Sequence, residues 1–198
     1  MGTDFGVNVE KWLSFYRPYF ESEREANDFV SELERLDADH PSHSAKIMMH
    51  QVQRLVSLAN DVPQIRPGNE TLPLLFLLVC AEHIAKLRHK YQGEGQSRAY
   101  VRRFFEEFLI AEDEMLVRSG ITSWEMRPLS LREAIDTLYT VRCDLVHEGR
   151  YWGFHFRNDG TSMLNGEPDV VVNLELRQLR DIVVRGAIRA SRTFDPHP

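Results

Sequence analysis

The stretch with the densest chemistry is Leu138-Tyr139-Thr140-Val141-Arg142-Cys143-Asp144-Leu145-Val146-His147-Glu148-Gly149. It puts an arginine, an aspartate and a histidine in the last two turns of an amphipathic helix that a glycine would end. Arg142 is a permanent cation with a planar fork of donors, suited to the charge that builds on phosphate oxygens during transfer. Histidine changes charge near neutrality, so His147 can take or give a proton at physiological pH. On an ideal helix, five residues separate Arg142 from His147 by roughly 7.5 Å along the axis and about 140° around it. They share a site if the arginine reaches across or the last turn unwinds.

Spacing alone decides little. Arginine followed five positions later by histidine also occurs at Arg35/His40, Arg150/His155 and Arg192/His197. With 20 Arg and 8 His, about 0.8 such pairs arise by chance. Context separates Arg142/His147, which sits at the polar end of an apolar helix, with Leu145 and Val146 before the histidine. Arg150/His155 falls in a predicted strand, Arg192/His197 runs into a Pro-bounded tail, and Arg35/His40 crosses a helix end. The competing account of Arg142 and His147 is a plain helix C-terminus, where cations offset the dipole by roughly 0.3–1 kcal/mol.

The elements that must position these residues are mostly helices. A first helical segment covers about Val9 to Leu36, with Trp12, Phe15, Tyr16, Tyr19 and Phe20 at three- and four-residue spacings and Pro18 dividing it. A second, about Ser42 to Asn60, buries Ile47, Met48, Val52, Leu55, Val56 and Ala59. Asp61 to Glu70, with Pro63, Pro67 and Gly68, is the clearest linker. Then come an apolar helix from Leu72 to Tyr91 and another from Ser97 to Val117, followed by a loop bracketed by Gly120 and Pro128. Ser130 and Glu133 spell a capping box at the start of the motif helix. Beyond Gly149, alternation at Tyr151–Arg157 and the branched run at Val170–Leu174 predict a hairpin with a long loop. A last helix spans about Leu176 to Arg192. The fold class is therefore mainly α, a helical bundle with one small β-hairpin before the last helix. Residues 1–65 form an N-terminal helical extension and 71–192 the bundle, or the two make one continuous domain, 1–198.

The string Tyr-Thr-Val-Arg-Cys-Asp-Leu-Val-His-Glu-Gly resembles the signature of HEPN domains (higher eukaryotes and prokaryotes nucleotide-binding), particularly the Apea-like branch. The likeness covers roughly 72–192, but only about a dozen residues are specific. It implies a HEPN-like bundle, usually paired so that two motifs face each other across a dimer cleft. Many members are metal-independent endoribonucleases of toxin–antitoxin or phage-defence systems. In them the arginine and histidine promote attack of a ribose 2′-hydroxyl on the adjacent phosphate. The resemblance thus implies RNA or a nucleotide as ligand, a homodimer, and an antitoxin or regulatory partner. Cys143 stands where many members carry Asn, Asp or His, which leaves Asp144 as the polar helper. No tyrosine follows His147 two positions on, a departure from members regulated by nucleotide transfer. Glu82 resembles an acidic residue that some members place beside the motif; an i,i+4 ion pair with Lys86 is its other reading. Two alternatives stand beside the ribonuclease: an inactive HEPN-like module that binds a nucleotide, RNA or protein, and a helical scaffold.

The last helix adds a further feature. Leu176, Leu179, Ile182, Val183, Ala187 and Ala190 share one face, and Arg177, Arg180, Arg185, Arg189 and Arg192 the other, with Asp181 the one acid between them. This row is either a grip on a phosphate backbone or an ordinary solvated face. Bulk charge does not favour nucleic acid, since the chain carries a formal net charge of −6; a local basic face is the remaining route. His40, His43 and His50 lack partner acids or cysteines at ligand spacing, so neither metal nor cofactor is predicted. His83 and His89 read as surface. Cys80 and Cys143 read as free thiols of a reducing compartment. No secretion signal is visible in Met1–Glu10, and the longest apolar run, Leu72–Ala81, is about half a membrane span. The expectation is a cytoplasmic protein.

Overall fold

The computed structural model describes residues 9–39, 44–68, 70–91, 93–150, 152–166 and 169–193. His40, Ser42, His43, Tyr151 and His197, which entered the sequence reading, lie outside them. The order of elements is α1 (Val9–Tyr16), a 3-10 turn (Arg17–Tyr19), α2 (Glu23–Asp39), α3 (Ser44–Ile65), α4 (Thr71–Arg88), α5 (Ser97–Phe108), α6 (Ala111–Gly120), β1 (Ile121–Ser123), α7 (Leu131–Glu148), β2 (Met163–Gly166), β3 (Asp169–Val172) and α8 (Leu176–Arg192). The fold is mainly helical, with a small antiparallel sheet whose hairpin precedes the last helix.

The apolar run from Leu72 makes α4 the central helix. It buries Leu74, Leu77, Leu78, Cys80, Ala81, Ile84 and Ala85 and packs on α3, α5, α7 and α8. One contiguous core joins Trp12, Tyr16 and Phe29 of the first helices to Met48, Met49 and Val52 of α3, and on to Ile182 and Val183 of α8. Ile47, assigned to the buried stripe of α3, is 37% exposed.

Several boundaries differ from the sequence reading, each for a local reason. Pro18 does divide the first segment, sitting in the 3-10 turn that links α1 to α2. The predicted linker from Asp61 shrinks, because α3 continues to Ile65 with Pro63 inside its last turns. The single helix predicted over Ser97–Val117 is two, broken where Leu109 and Ile110 take extended dihedrals. There Arg189 donates to the carbonyl of Phe108, and Asp113 of α6 swings onto Arg185. Both bonds hold the break against α8. A close approach helps, since a β-carbon on Gly186 would stand 2.8 Å from the Phe104 ring, so the missing side chain lets α8 sit on α5.

The hairpin is β2–β3, with Met163 opposite Val172 and Gly166 opposite Asp169. β1, in the segment expected to be loop, pairs on the other side of β3, giving the order β1-β3-β2. The alternation predicted for 151–157 holds only from Phe154, with Phe154 and Phe156 buried; Trp152, expected on their side, is exposed, and Trp152–Arg157 joins no ladder. Side chains take the place of a partner strand. The Asn165 carboxamide accepts from His155 N (2.6 Å) and donates to its carbonyl (3.0 Å), and Glu70 accepts from Phe156 N (2.8 Å). Arg157 N reaches the carbonyl of Leu174, which lies between β3 and α8, at 2.9 Å. No helix among the described residues is long and apolar enough to cross a membrane.

Candidate functional site

Both ends of α7 are fixed by local chemistry. At its start the Ser130 hydroxyl accepts from Glu133 N at 3.2 Å, and the Glu133 carboxylate accepts from Ser130 N at 2.8 Å. Arg127 and Ser130 together hold the Glu133 carboxyl down at about 2. At its end Gly149 takes the left-handed conformation (φ 67°), which glycine adopts without a steric penalty. Its N–H returns to the Leu145 carbonyl at 3.2 Å, and Arg150 N reaches the Asp144 carbonyl at 3.2 Å. These contacts set the last two turns, where Arg142, Asp144 and His147 stand.

The three residues meet different surroundings. Arg142 is largely buried; its Nη1 donates to the Tyr139 hydroxyl at 3.2 Å and its Nη2 lies 3.9 Å from Glu82 Oε2. Its guanidinium also sits 5.2 Å from the centre of the Tyr139 ring, and that of Arg98 5.0 Å from it, within the range of cation–π attraction. Glu82, reached from α4, is buried and accepts from Lys86 Nζ and Ser97 Oγ, both at 2.7 Å. Burial acts to raise the Glu82 pKa. The bonds from Lys86 and Ser97 and the charges of Lys86 and Arg142 outweigh it, so the carboxyl titrates below its ordinary range. Burial pushes the Tyr139 phenol up, against the charge of Arg142. Glu82 thus makes the i,i+4 pair with Lys86 and also neighbours Arg142.

His147 is exposed in the last turn and has no hydrogen-bond or ion-pair partner among the described residues. No such contact joins it to Arg142 within one chain. Asp144 is partly exposed and lines a cavity of about 300 Å³ with Thr71, Val141, Arg150, Trp152 and Phe154. The Trp152 side chain is 64% exposed there. Tyr139, Ser97 and Arg98 were absent from the sequence reading of the site. Tyr139 stands three residues before Arg142, a spacing that puts two side chains on one helix face. Ser97 and Arg98 arrive through the tertiary fold and left no such signal.

The arginine row of α8 is not a free stripe. Arg185 forks onto Asp113 (3.1 and 2.5 Å), and Asp113 is buried. Arg180 forks onto Asp181 (2.9 and 2.7 Å) and reaches Asn60 at 3.3 Å. Arg189 is spent on the Phe108 carbonyl, and Arg192 lies over the rings of Phe20 and Phe29 at 5.2 and 5.7 Å. Arg177 and Arg192 remain exposed, and Arg177 has a loose partner, Glu175 at 3.7 Å. The continuous solvent-facing row expected from the sequence is thus replaced by internal ties, because α2, α6 and the 3-10 turn supply partners along that side of α8. His83 is half-buried, its pKa lowered by desolvation, and His89 is exposed and 2.9 Å from Glu107. Among the described residues no group of three or more His, Cys, Asp or Glu could hold a metal ion. Comparison of this chain with protein-family models, with curated proteins and with solved structures finds no match.

Proposed function

We propose that the chain is a metal-independent endoribonuclease of HEPN type, acting as a two-fold dimer with the ends of two α7 helices around one cleft. The observation that carries this reading is the exposed, unpartnered imidazole of His147 at a helix end whose arginine is held in place by Tyr139 and Glu82. His147 takes the proton of a ribose 2′-hydroxyl or returns one to the leaving 5′-oxygen. As the 2′-oxygen bonds to phosphorus, the bond from phosphorus to the 5′-oxygen breaks, leaving a 2′,3′-cyclic phosphate and a 5′-hydroxyl. Arg142 keeps N–H groups beyond the one given to Tyr139, and these stabilise the pentacoordinate phosphate. Trp152 and Arg150 beside Asp144 suit a splayed base and its backbone. Because Arg142 and His147 do not meet in one chain, the reading depends on the second copy. A toxin or defence role, an antitoxin partner and a cytoplasmic location belong to the same proposal.

One feature favours the inactive binding module instead: the contacts Arg142 makes to Tyr139 and Glu82 form a self-contained structural cluster. RNA cleavage in EDTA separates the two. The ribonuclease should cut in EDTA and give 2′,3′-cyclic ends. His147→Ala should lose at least 10²-fold in rate, Arg142→Lys should fail because a point charge does not replace the fork, and a deoxyribose at the cleavage position should block the reaction. A wild type that cuts no RNA, with Arg142→Ala melting several degrees lower, would leave the binding module.

A further inference from the structure

Glu70 stands at the start of α4 without capping it, for its side chain accepts nothing from the first turn. The carboxylate turns instead onto the segment before the hairpin. There Oε2 accepts from Phe156 N at 2.8 Å and lies 3.8 Å from His155 Nδ1. Its other oxygen, Oε1, meets no donor among the described residues, and no described lysine or arginine pairs with Glu70. Burial pushes the carboxyl above its ordinary range, against the Phe156 N–H and the charge of His155. A carboxylate drawn partly out of water with a bond unmade is best completed by a cationic donor.

The surroundings specify which cation. Glu70 lines a cavity of about 340 Å³ with Pro63, Phe156, Met163 and Leu176 on its apolar side and His155 and Asn158 on its polar one. That is the small end of small-molecule sites, which set a few convergent polar groups in a mostly apolar wall. No lysine or arginine lines it, so an anion finds no charged partner there. The Asn158 carboxamide, on the exposed rim, bonds to no described residue, and a neutral imidazole at His155 offers one acceptor nitrogen. With Glu70 Oε1 these make three acceptors, and an ammonium brings three donors. Because Oε2 already holds Phe156 N, a single free oxygen suits a point charge better than the fork of a guanidinium. Met163 and Leu176 are partly exposed and gain by covering an apolar body.

We propose that the cavity between the end of α3, the start of α4, β2 and α8 binds a small primary amine with an apolar body, its ammonium held by Glu70, His155 and Asn158. It shares no lining residue with the cavity beside Asp144, so its test does not depend on the ribonuclease reading.

NMR titration of the full chain with hexylamine at about pH 8 tests it, with 1-hexanol and methylamine as separate arms. At that pH an alkylamine is charged and an ordinary histidine neutral. Hexylamine should bind with a dissociation constant on the order of 0.1–1 mM. Hexanol, which lacks the charge, and methylamine, which lacks the body, should each bind at least tenfold more weakly. Glu70→Gln keeps an acceptor for Phe156 N and removes the half-buried charge, so it should melt no lower than wild type and bind hexylamine at least tenfold more weakly. Asn158→Ala, on the exposed rim, is the second variant and should keep the fold and weaken hexylamine about threefold. Three results would overturn the proposal: no hexylamine bound at millimolar concentration, hexanol or methylamine bound as tightly as hexylamine, or a folded Glu70→Gln that binds like wild type. Should Glu70→Gln fail to fold, unchanged affinity in Asn158→Ala would overturn it instead.

Discussion

Two helices carry the arginines that drew notice in the sequence, and they use them in opposite ways. On α8 four of the five guanidinium groups are engaged within the chain, by Asp113, Asp181, the Phe108 carbonyl and the rings of Phe20 and Phe29, while Arg177 stays exposed. At the end of α7, Arg142 is held by Tyr139 and Glu82, while His147 stands open to solvent five residues on. The contrast shows that periodicity separates apolar from polar faces but does not say what covers the polar one. A long arginine stem reaches partners that its helix face does not adjoin. An arginine row is therefore as good a tie between helices as a surface for phosphate.

The sharpest way to break that contrast is to cut the strongest tie. Asp113 is buried, and Arg185→Ala would leave its carboxylate without the fork that holds it. Losing one partner of such a pair is costly. Arg185 is itself about a third exposed, so the expected loss is about 2–4 kcal/mol, seen as a melting temperature lower by roughly 5–15 °C. Arg185→Lys should recover only part of it, because an ammonium cannot fork. If Arg185→Ala melted like wild type and instead lost affinity for a polyanion such as heparin, α8 would be a phosphate grip after all.

Arg142 should show a smaller effect, because Glu82 keeps Lys86 and Ser97 when the arginine is gone. Arg142→Ala is expected to cost about 1–2 kcal/mol in chemical denaturation at neutral pH. The pH dependence has a definite sign. The folded Glu82 carboxyl titrates below its ordinary value. Its ionised form therefore contributes stability above the unfolded pKa, near 4.3, and that contribution is lost as pH falls through the lower folded value. Glu82→Gln should remove that part of the acid-side decline, and the gap between wild type and Arg142→Ala should close over the same window. A gap that widened in acid would mean that Arg142 acts on stability by some other route.

What was legible in the sequence follows the same division between local and distant causes. The Ser130–Glu133 capping box, the stop at Gly149 and the span of α8 were legible because neighbours in the chain determine them. The break at Leu109–Ile110 was not, since it is tied to Arg189, some eighty residues away. Phe154–Arg157 has a strand's alternation of burial, yet the backbone of His155 and Phe156 is met by Asn165 and Glu70 rather than by a strand. Alternation records burial, not pairing. In the candidate site, Tyr139 beside Arg142 and Lys86 beside Glu82 sit at helical spacings. Ser97 enters from another helix, and its contact with Glu82 had no trace in the order of residues.

The smallest expected effect on stability is also the most informative. His147 is exposed and without a partner among the described residues, so His147→Ala should change stability by less than about 0.5 kcal/mol. Within one chain nothing connects it to Arg142, and in a dilute monomeric sample the double variant should equal the sum of the single ones within about 0.5 kcal/mol. A shared cleft across a dimer changes that expectation. There the two residues act on one phosphate, and variants of residues that work as a unit are strongly non-additive in rate. The decisive measurement is therefore a double-variant cycle in both readouts on the same preparations, stability by denaturation and RNA cleavage by product formation. Additive stability with non-additive cleavage would place Arg142 and His147 in one site assembled from two copies. Additivity in both would leave Arg142 as a packing residue of α7 and His147 as a surface histidine.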